Sequence, residues 1–130
     1  MSDEKIAYDF AVLRAVPHVH LGAFIPVGVL LHARQVGFLG LLALTNESTL
    51  RERVPSADVG MLARYLRTLE RVAAGDPNAG PIALAPTSER FHWLTAPRSD
   101  VLQSSPIHEG ICDGDPDRTL ARLFSQYVAG

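Results

Sequence analysis

At 130 residues the chain has the length of one domain, which buries roughly two-thirds of the surface exposed by its unfolded form. Hydrophobic residues make up 47% and charged residues 20%, a globular balance that excludes a disordered chain. A net charge of −2 speaks against a dedicated nucleic-acid binder, and a single cysteine, Cys112, excludes an intrachain disulfide and a multi-cysteine zinc site.

That cysteine usage fits a reducing compartment. The start, Met-Ser-Asp-Glu-Lys, is polar and acidic, unlike a secretory leader. The longest apolar run, Leu21 to Leu31, is shorter than the ~20 residues that span a bilayer. Joining it to Val36–Leu44 would put His32, Arg34 and Gln35 inside the membrane, so a cytoplasmic protein without membrane contact is expected.

In chain order, Ile6, Tyr8, Phe10, Val12 and Val16 alternate as one face of a strand that Pro17 ends. Arg14 falls on that apolar face. Phe24–His32 and Val36–Leu44 are apolar at nearly every position, as in strands covered on both faces. The polar break Ala33-Arg34-Gln35 before Gly37 predicts a hairpin between them. Pro26 belongs at an edge or a bulge, and Gly28 and Gly40 mark bulges or close approach. A short helical turn capped by Thr45 or Asn46 is expected within Asn46–Val54.

Val59, Leu62, Leu66, Leu69 and Ala73 recur at helical spacing, with Ser56 or Asp58 as cap and Gly75 and Pro77 as stop signals. Arg64, Arg67 and Arg71 lie opposite the leucines, a solvated face. Ile82–Leu84 is expected as a brief strand, Arg90–Thr95 as a strand, and Val101–Ser105 as its partner. Asp115-Pro116-Asp117 opens a last helix burying Leu120, Leu123, Phe124, Tyr127 and Val128. The sum is one α+β domain over residues 1–130: a largely antiparallel sheet of about five strands with the two main helices packed on one face.

Few residues stand out for chemistry. Arg14 reads as an anion clamp, because a buried guanidinium needs a partner and forks onto carboxylates or phosphates. The alternative is pairing with Asp9, Glu109 or Asp113. Arg98, Ser99, Gln103, Ser105 and His108 crowd donors and acceptors into one stretch. Gln103 and Ser105 would share one side of an extended segment, and Arg98 would sit at a hairpin tip. These same residues also read as a self-bonded turn followed by an exposed strand. Ser99 or Ser105 with His108 lacks the Gly-x-Ser-x-Gly elbow of a hydrolase. His18, His20 and the run His108–Asp113 hold metal-ligand types without a metal signature, and no phosphate-binding glycine loop is present. No metal and no cofactor are expected.

Tyr8–Pro17 resembles the opening strand of one bacterial family, and Phe24–Leu31 its second strand, where Pro26 replaces a more usual Asn. Glu89-Arg-Phe-His-Trp-Leu-Thr-Ala-Pro-Arg-Ser99 and Gln103-Ser-Ser-Pro-Ile-His108 resemble its most distinctive block. On these segments the chain is identified as a member of the family known as domain of unknown function 3037. The resemblance brings no assigned activity. Genes for members often lie beside genes for kinase-like proteins of the toxin–antitoxin type, which implies a protein partner. The family's distinctive residues would be Arg14, Arg90, Trp93, Arg98, Ser99, Gln103, Ser105 and His108. Two functional expectations follow: a non-enzymatic accessory module binding a kinase-like protein, or an anionic small-molecule or catalytic site built from Arg14, Arg98, Ser99, Gln103 and His108. An exposed edge near Pro26 and Gly28 would allow a homodimer.

Overall fold

The computed structural model describes residues 5–16, 24–55, 57–96 and 102–129. Strand β1 (Lys5–Ala15) alternates as its sequence requires, with Ile6, Tyr8, Phe10 and Val12 buried on one side and Leu13 and Ala15 on the other. Strands β2 (Ile25–Ala33) and β3 (Phe38–Ala43) form the expected hairpin through a 3-10 turn, Arg34–Val36. Gly37 closes that turn at φ 65, a left-handed conformation that glycine adopts without penalty.

The sheet is antiparallel and five-stranded in the order β3-β2-β1, and both β4 (Leu102–Ser104) and β5 (His108–Asp113) pair with the remaining edge of β1. From Leu13 to Phe10, β1 advances three residues, while from Ser104 to His108 its partner advances four. The surplus residue is accommodated at Ser105-Pro106-Ile107. A second irregularity lies where Leu13 pairs Gly28 but Arg14 pairs Pro26, leaving Val27 as the extra residue. Pro26 therefore sits at a bulge and also beyond the last β2–β3 pair, Gly28 with Ala43, where its missing N–H interrupts no ladder.

Helix α1 (Glu47–Arg53) is capped by Asn46, whose side chain accepts from Thr49 N. Helix α2 (Val59–Ala74) runs between the predicted signals: Asp58 accepts from Met61 N, and Gly75 takes φ 77. Its Leu62, Leu66, Leu69 and Val72 pack on Leu13, Val27, Leu30, Leu39 and Leu41. Each fully buried leucine contributes about 2 kcal/mol. Helix α4 (Pro116–Phe124), capped by Asp115, continues into a π-helical turn, Ser125–Ala129. Leu120, Leu123 and Val128 pack on Ile6, Tyr8, Phe10, Val29 and Leu31, the opposite side of the sheet.

The α+β, largely antiparallel architecture is thus as expected, but the helices divide between the two faces instead of sharing one. The doubly apolar β2 and β3 require this, since each has core residues on both sides. Residues Arg90–Thr95 are not a strand: they belong to helix α3 (Thr87–Thr95), because Phe91 and Leu94, three apart, are the pair that is buried. Ile82–Leu84 lies in a 3-10 turn, Pro81–Leu84. The run His108–Asp113 is a strand. Tyr127 is exposed, because the wider π turn carries it off the 3.6-residue stripe of α4. Among the described residues no helix is long and apolar enough to cross a membrane.

Candidate functional site

Arg14 and Gln103 are direct partners across β1 and β4, so their side chains leave the same face of the sheet. The Arg14 guanidinium lies 4.2 Å above the ring centre of Phe24, itself 47% exposed. Its Nη2 donates to Ser104 O at 3.4 Å, while its Nε is buried and makes no hydrogen bond. None of the three expected acidic partners reaches it. Asp9, Glu109 and Asp113 stand on the other face, because Asp9 is odd in a strand where Arg14 is even, and Glu109 and Asp113 pair with Asp9 and Lys5.

Ser105 stitches the interruption between β4 and β5. Its N–H donates to Val12 O at 2.8 Å, and its Oγ accepts from Val12 N at 2.9 Å and donates to Pro106 O at 2.8 Å. His108 is exposed, pairs with Phe10 and sets its ring 5.2 Å from that phenyl group. Four residues of strand separate the Phe10 and Arg14 rows, about 13 Å. Arg98 and Ser99, like His18 and His20, lie outside the described residues.

Arg90 ties α2 to the turn that follows. Its Nη1 donates to Val72 O and Ala73 O at 3.2 and 2.7 Å, and its Nε to Ala85 O at 2.9 Å. Trp93 lines a shallow groove of about 450 Å3 with Ile82, Ser88, Glu89, His92 and Ala96. Within the arginine stripe of α2, Arg67 donates to Thr45 O and Arg71 pairs with Asp76 at 2.9 Å, so two of the three are engaged by their own chain.

A second place has no local signature in the sequence. One row of residues crosses four strands on the α2 face: Leu39, His32, Asp9 and Glu109. α3 reaches only as far as His32, whose ring stacks on Phe91 at 5.2 Å and whose Nε2 lies 3.2 Å from Thr87 Oγ1. Beyond that contact no described residue covers the sheet: Ala7, Glu109, Ile111 and Asp113 are exposed, Ile111 at 68%. A groove of about 590 Å3 runs over this corner, lined by Ala7, Asp9, His32, Arg34, Gln35, Glu109 and Ile111.

Burial pushes the His32 imidazole below its usual pKa. The Asp9 charge opposes this, and Arg34 and Arg90 reinforce it. Asp113 is held by Lys5 at 2.6 Å, whereas Glu109 has no hydrogen-bond or ion-pair partner among the described residues. Among those residues no group of His, Cys, Asp and Glu is arranged to hold a metal. In the run His108–Asp113 the ligand types alternate between the two faces. Gln35 Oε1 accepts from Ala7 N at 3.4 Å and closes the groove's inner wall.

A family model described as Protein of unknown function (DUF3037) matches residues 10–128. The chain belongs to the DUF3037 family. The matched span takes in every strand and helix described above, except the first residues of β1 and the last of the π turn. No curated protein and no solved structure is matched. The DUF3037 assignment therefore brings no chemistry, and the functional reading rests on the two surfaces just described.

Proposed function

We propose that this DUF3037 chain is a single-domain, non-enzymatic accessory module that binds a protein partner. The bare corner of the sheet over Ala7, Asp9, Glu109 and Ile111 is its docking surface. One observation carries the reading. The N-terminal half of β1 is sealed by α4 on one face, yet on the other face the same strands carry an isoleucine 68% exposed beside a carboxylate that is unpaired among the described residues. A strand pair with one dry face and one bare, part-apolar face is incomplete by itself, and a partner's side chains would complete it. The family resemblance supplies the class of partner, a kinase-like protein in a bacterial cytoplasm.

The test is co-expression of the tagged chain with a kinase-like protein of the type encoded beside members of the family. Co-purification of the wild type, abolished by Ile111→Arg with the fold intact by circular dichroism, is expected. Failure of the pair to co-purify contradicts the reading.

A second reading is favoured by a specific observation, the buried and unbonded Nε of Arg14. In it Arg14 and Gln103, which leave the same face of the sheet, hold an anionic small molecule together with Arg98 and Ser99, without Ser105, whose hydroxyl is bonded within the fold, or His108, about 13 Å along the strand. Calorimetric titration with inorganic phosphate and with citrate tests it, and equal heats for wild type and Arg14→Leu dispose of it.

A further inference from the structure

We infer that the partner presents an extended, basic segment that pairs with the outer edge of β5 as an added strand, its basic side chain lying over Glu109 and Asp9. This rests on the partner-binding reading and specifies the occupant.

The direction of the backbone groups decides the geometry. Val12 spends its N–H and C=O on Ser105, so the even residues of β1 bond toward β4 and β5. Ala7, an odd residue, sends its N–H the other way, to Gln35. In an antiparallel ladder this alternation persists, so Phe10, Tyr8 and Ile6 exchange bonds with His108, Gly110 and Cys112. The N–H and C=O groups of Glu109, Ile111 and Asp113 then point outward, and among the described residues β5 pairs with β1 alone. The three residues with outward backbone groups are the three whose side chains line the bare face. A strand laid along this edge gains main-chain bonds and side-chain contacts from the same positions.

Charge selects the occupant. Among the described residues Glu109 lacks a partner and stands directly across from Asp9, and Arg34, which lines the same groove, forms an ion pair with neither carboxylate. Asp113 is already neutralised by Lys5, and Ile111 lies between the two acids. The complementary strand carries a basic residue opposite Glu109 and an apolar one two positions on, opposite Ile111. A second copy of this chain fits poorly. Antiparallel self-pairing centred on Ile111 sets Glu109 against Asp113 twice. Nucleic acid is repelled by the same carboxylates.

The experiment is fluorescence anisotropy of the full chain with three labelled peptides: the basic alternating acetyl-TRTVTRT-amide, its acidic counterpart acetyl-TETVTET-amide, and acetyl-TRTVTRT-amide N-methylated at its valine, which keeps the charge and side chains but lacks the N–H that faces Ile111. The basic alternating peptide should bind at least ten-fold more tightly than either control, and Glu109→Lys should reverse the preference between the basic and acidic peptides. Equal binding of the three, or no change with Glu109→Lys, overturns the inference. So does a doubled mass in sedimentation that Ile111→Arg halves, since the occupant is then a second copy. Co-purification of the kinase-like protein that is unaffected by Glu109→Lys overturns the basic strand but leaves the partner reading standing. Peptide selectivity without co-purification does the reverse.

Discussion

Ser105 separates a structural from a ligand-binding role most cleanly, and Ser105→Ala is the perturbation. The hydroxyl replaces a ladder partner at the point where β4 gives way to β5, accepting the Val12 N–H at 2.9 Å. Val12 is only 6% exposed, so removal of Oγ leaves a poorly solvated donor without its acceptor. Such a loss costs about 1–3 kcal/mol, and the lower half of that range applies because the bond is part-buried. For a chain of this length, about 1–2 kcal/mol lowers Tm by about 3–8 °C. Differential scanning calorimetry of wild type, Ser105→Ala and Ser105→Thr measures it. Threonine keeps the acceptor and should recover most of the loss. A Tm unchanged within about 1 °C for Ser105→Ala refutes the stitching role.

Three further outcomes follow from the same contacts. His32 has its folded pKa pushed below about 6.5, so the unfolded chain binds more protons just below that pH. Its contribution to stability is therefore complete above about 6.5 and is lost as pH falls through the folded value. Urea midpoints should drop on acidification, and less steeply in His32→Leu; parallel profiles would contradict this. Glu70, whose Oε2 accepts from Ala43 N at 3.0 Å, is pushed up by burial, opposed by that bond and by Arg67. Its contribution is greatest below its unfolded value and declines as pH rises through the folded one. Glu70→Gln should be at least as stable as the parent at neutral pH, whereas Glu70→Leu should lose about 1 kcal/mol by urea denaturation. A destabilised Gln variant would place the value in the charge. A Cβ on Gly40 would stand 2.8 Å from Leu120 Cδ2 and 2.8 Å from Phe38 Cζ. Both are side-chain ends, so Gly40→Ala should cost about 1 kcal/mol as Leu120 and Phe38 turn aside, and a loss above about 3 kcal/mol would mean that neither side chain can yield.

The elements that sequence made legible are those whose signals agree with one another. β1 alternates over its whole length, the β2–β3 hairpin has a polar break and a glycine, and α2 and α4 carry both cap and stripe. α3 is ambiguous in sequence because Phe91-His-Trp-Leu-Thr fits a period of two as well as a spacing of three, and nine residues hold too few turns to decide. β5 was hidden because its inward residues are His108, Gly110 and Cys112, not a hydrophobic stripe. Gly110 is required there because the Tyr8 ring lies across it, a contact between residues 102 positions apart, which no local pattern records.

The site divides the same way. Arg14 announced itself as a charge on an apolar face, and its pairing with Gln103 fits the crowding of polar residues seen in that stretch. The row from His32 through Asp9 to Glu109 was illegible, because each residue is ordinary in its own strand. Only the register of three strands makes them neighbours. Strand parity sends Asp9 and Arg14 to opposite faces, which rules out the ion pair that their types allow.

The central claim is that the bare corner of the sheet is where a partner docks. Hydrogen exchange by mass spectrometry on the chain alone and in complex with the co-expressed kinase-like protein tests it most directly. The account predicts slowed exchange in the peptides covering residues 5–9 and 107–113 on complex formation, with α2 unchanged. Protection confined to the arginine face of α2 or to the Trp93 groove, with residues 107–113 exchanging as in the free chain, would contradict it.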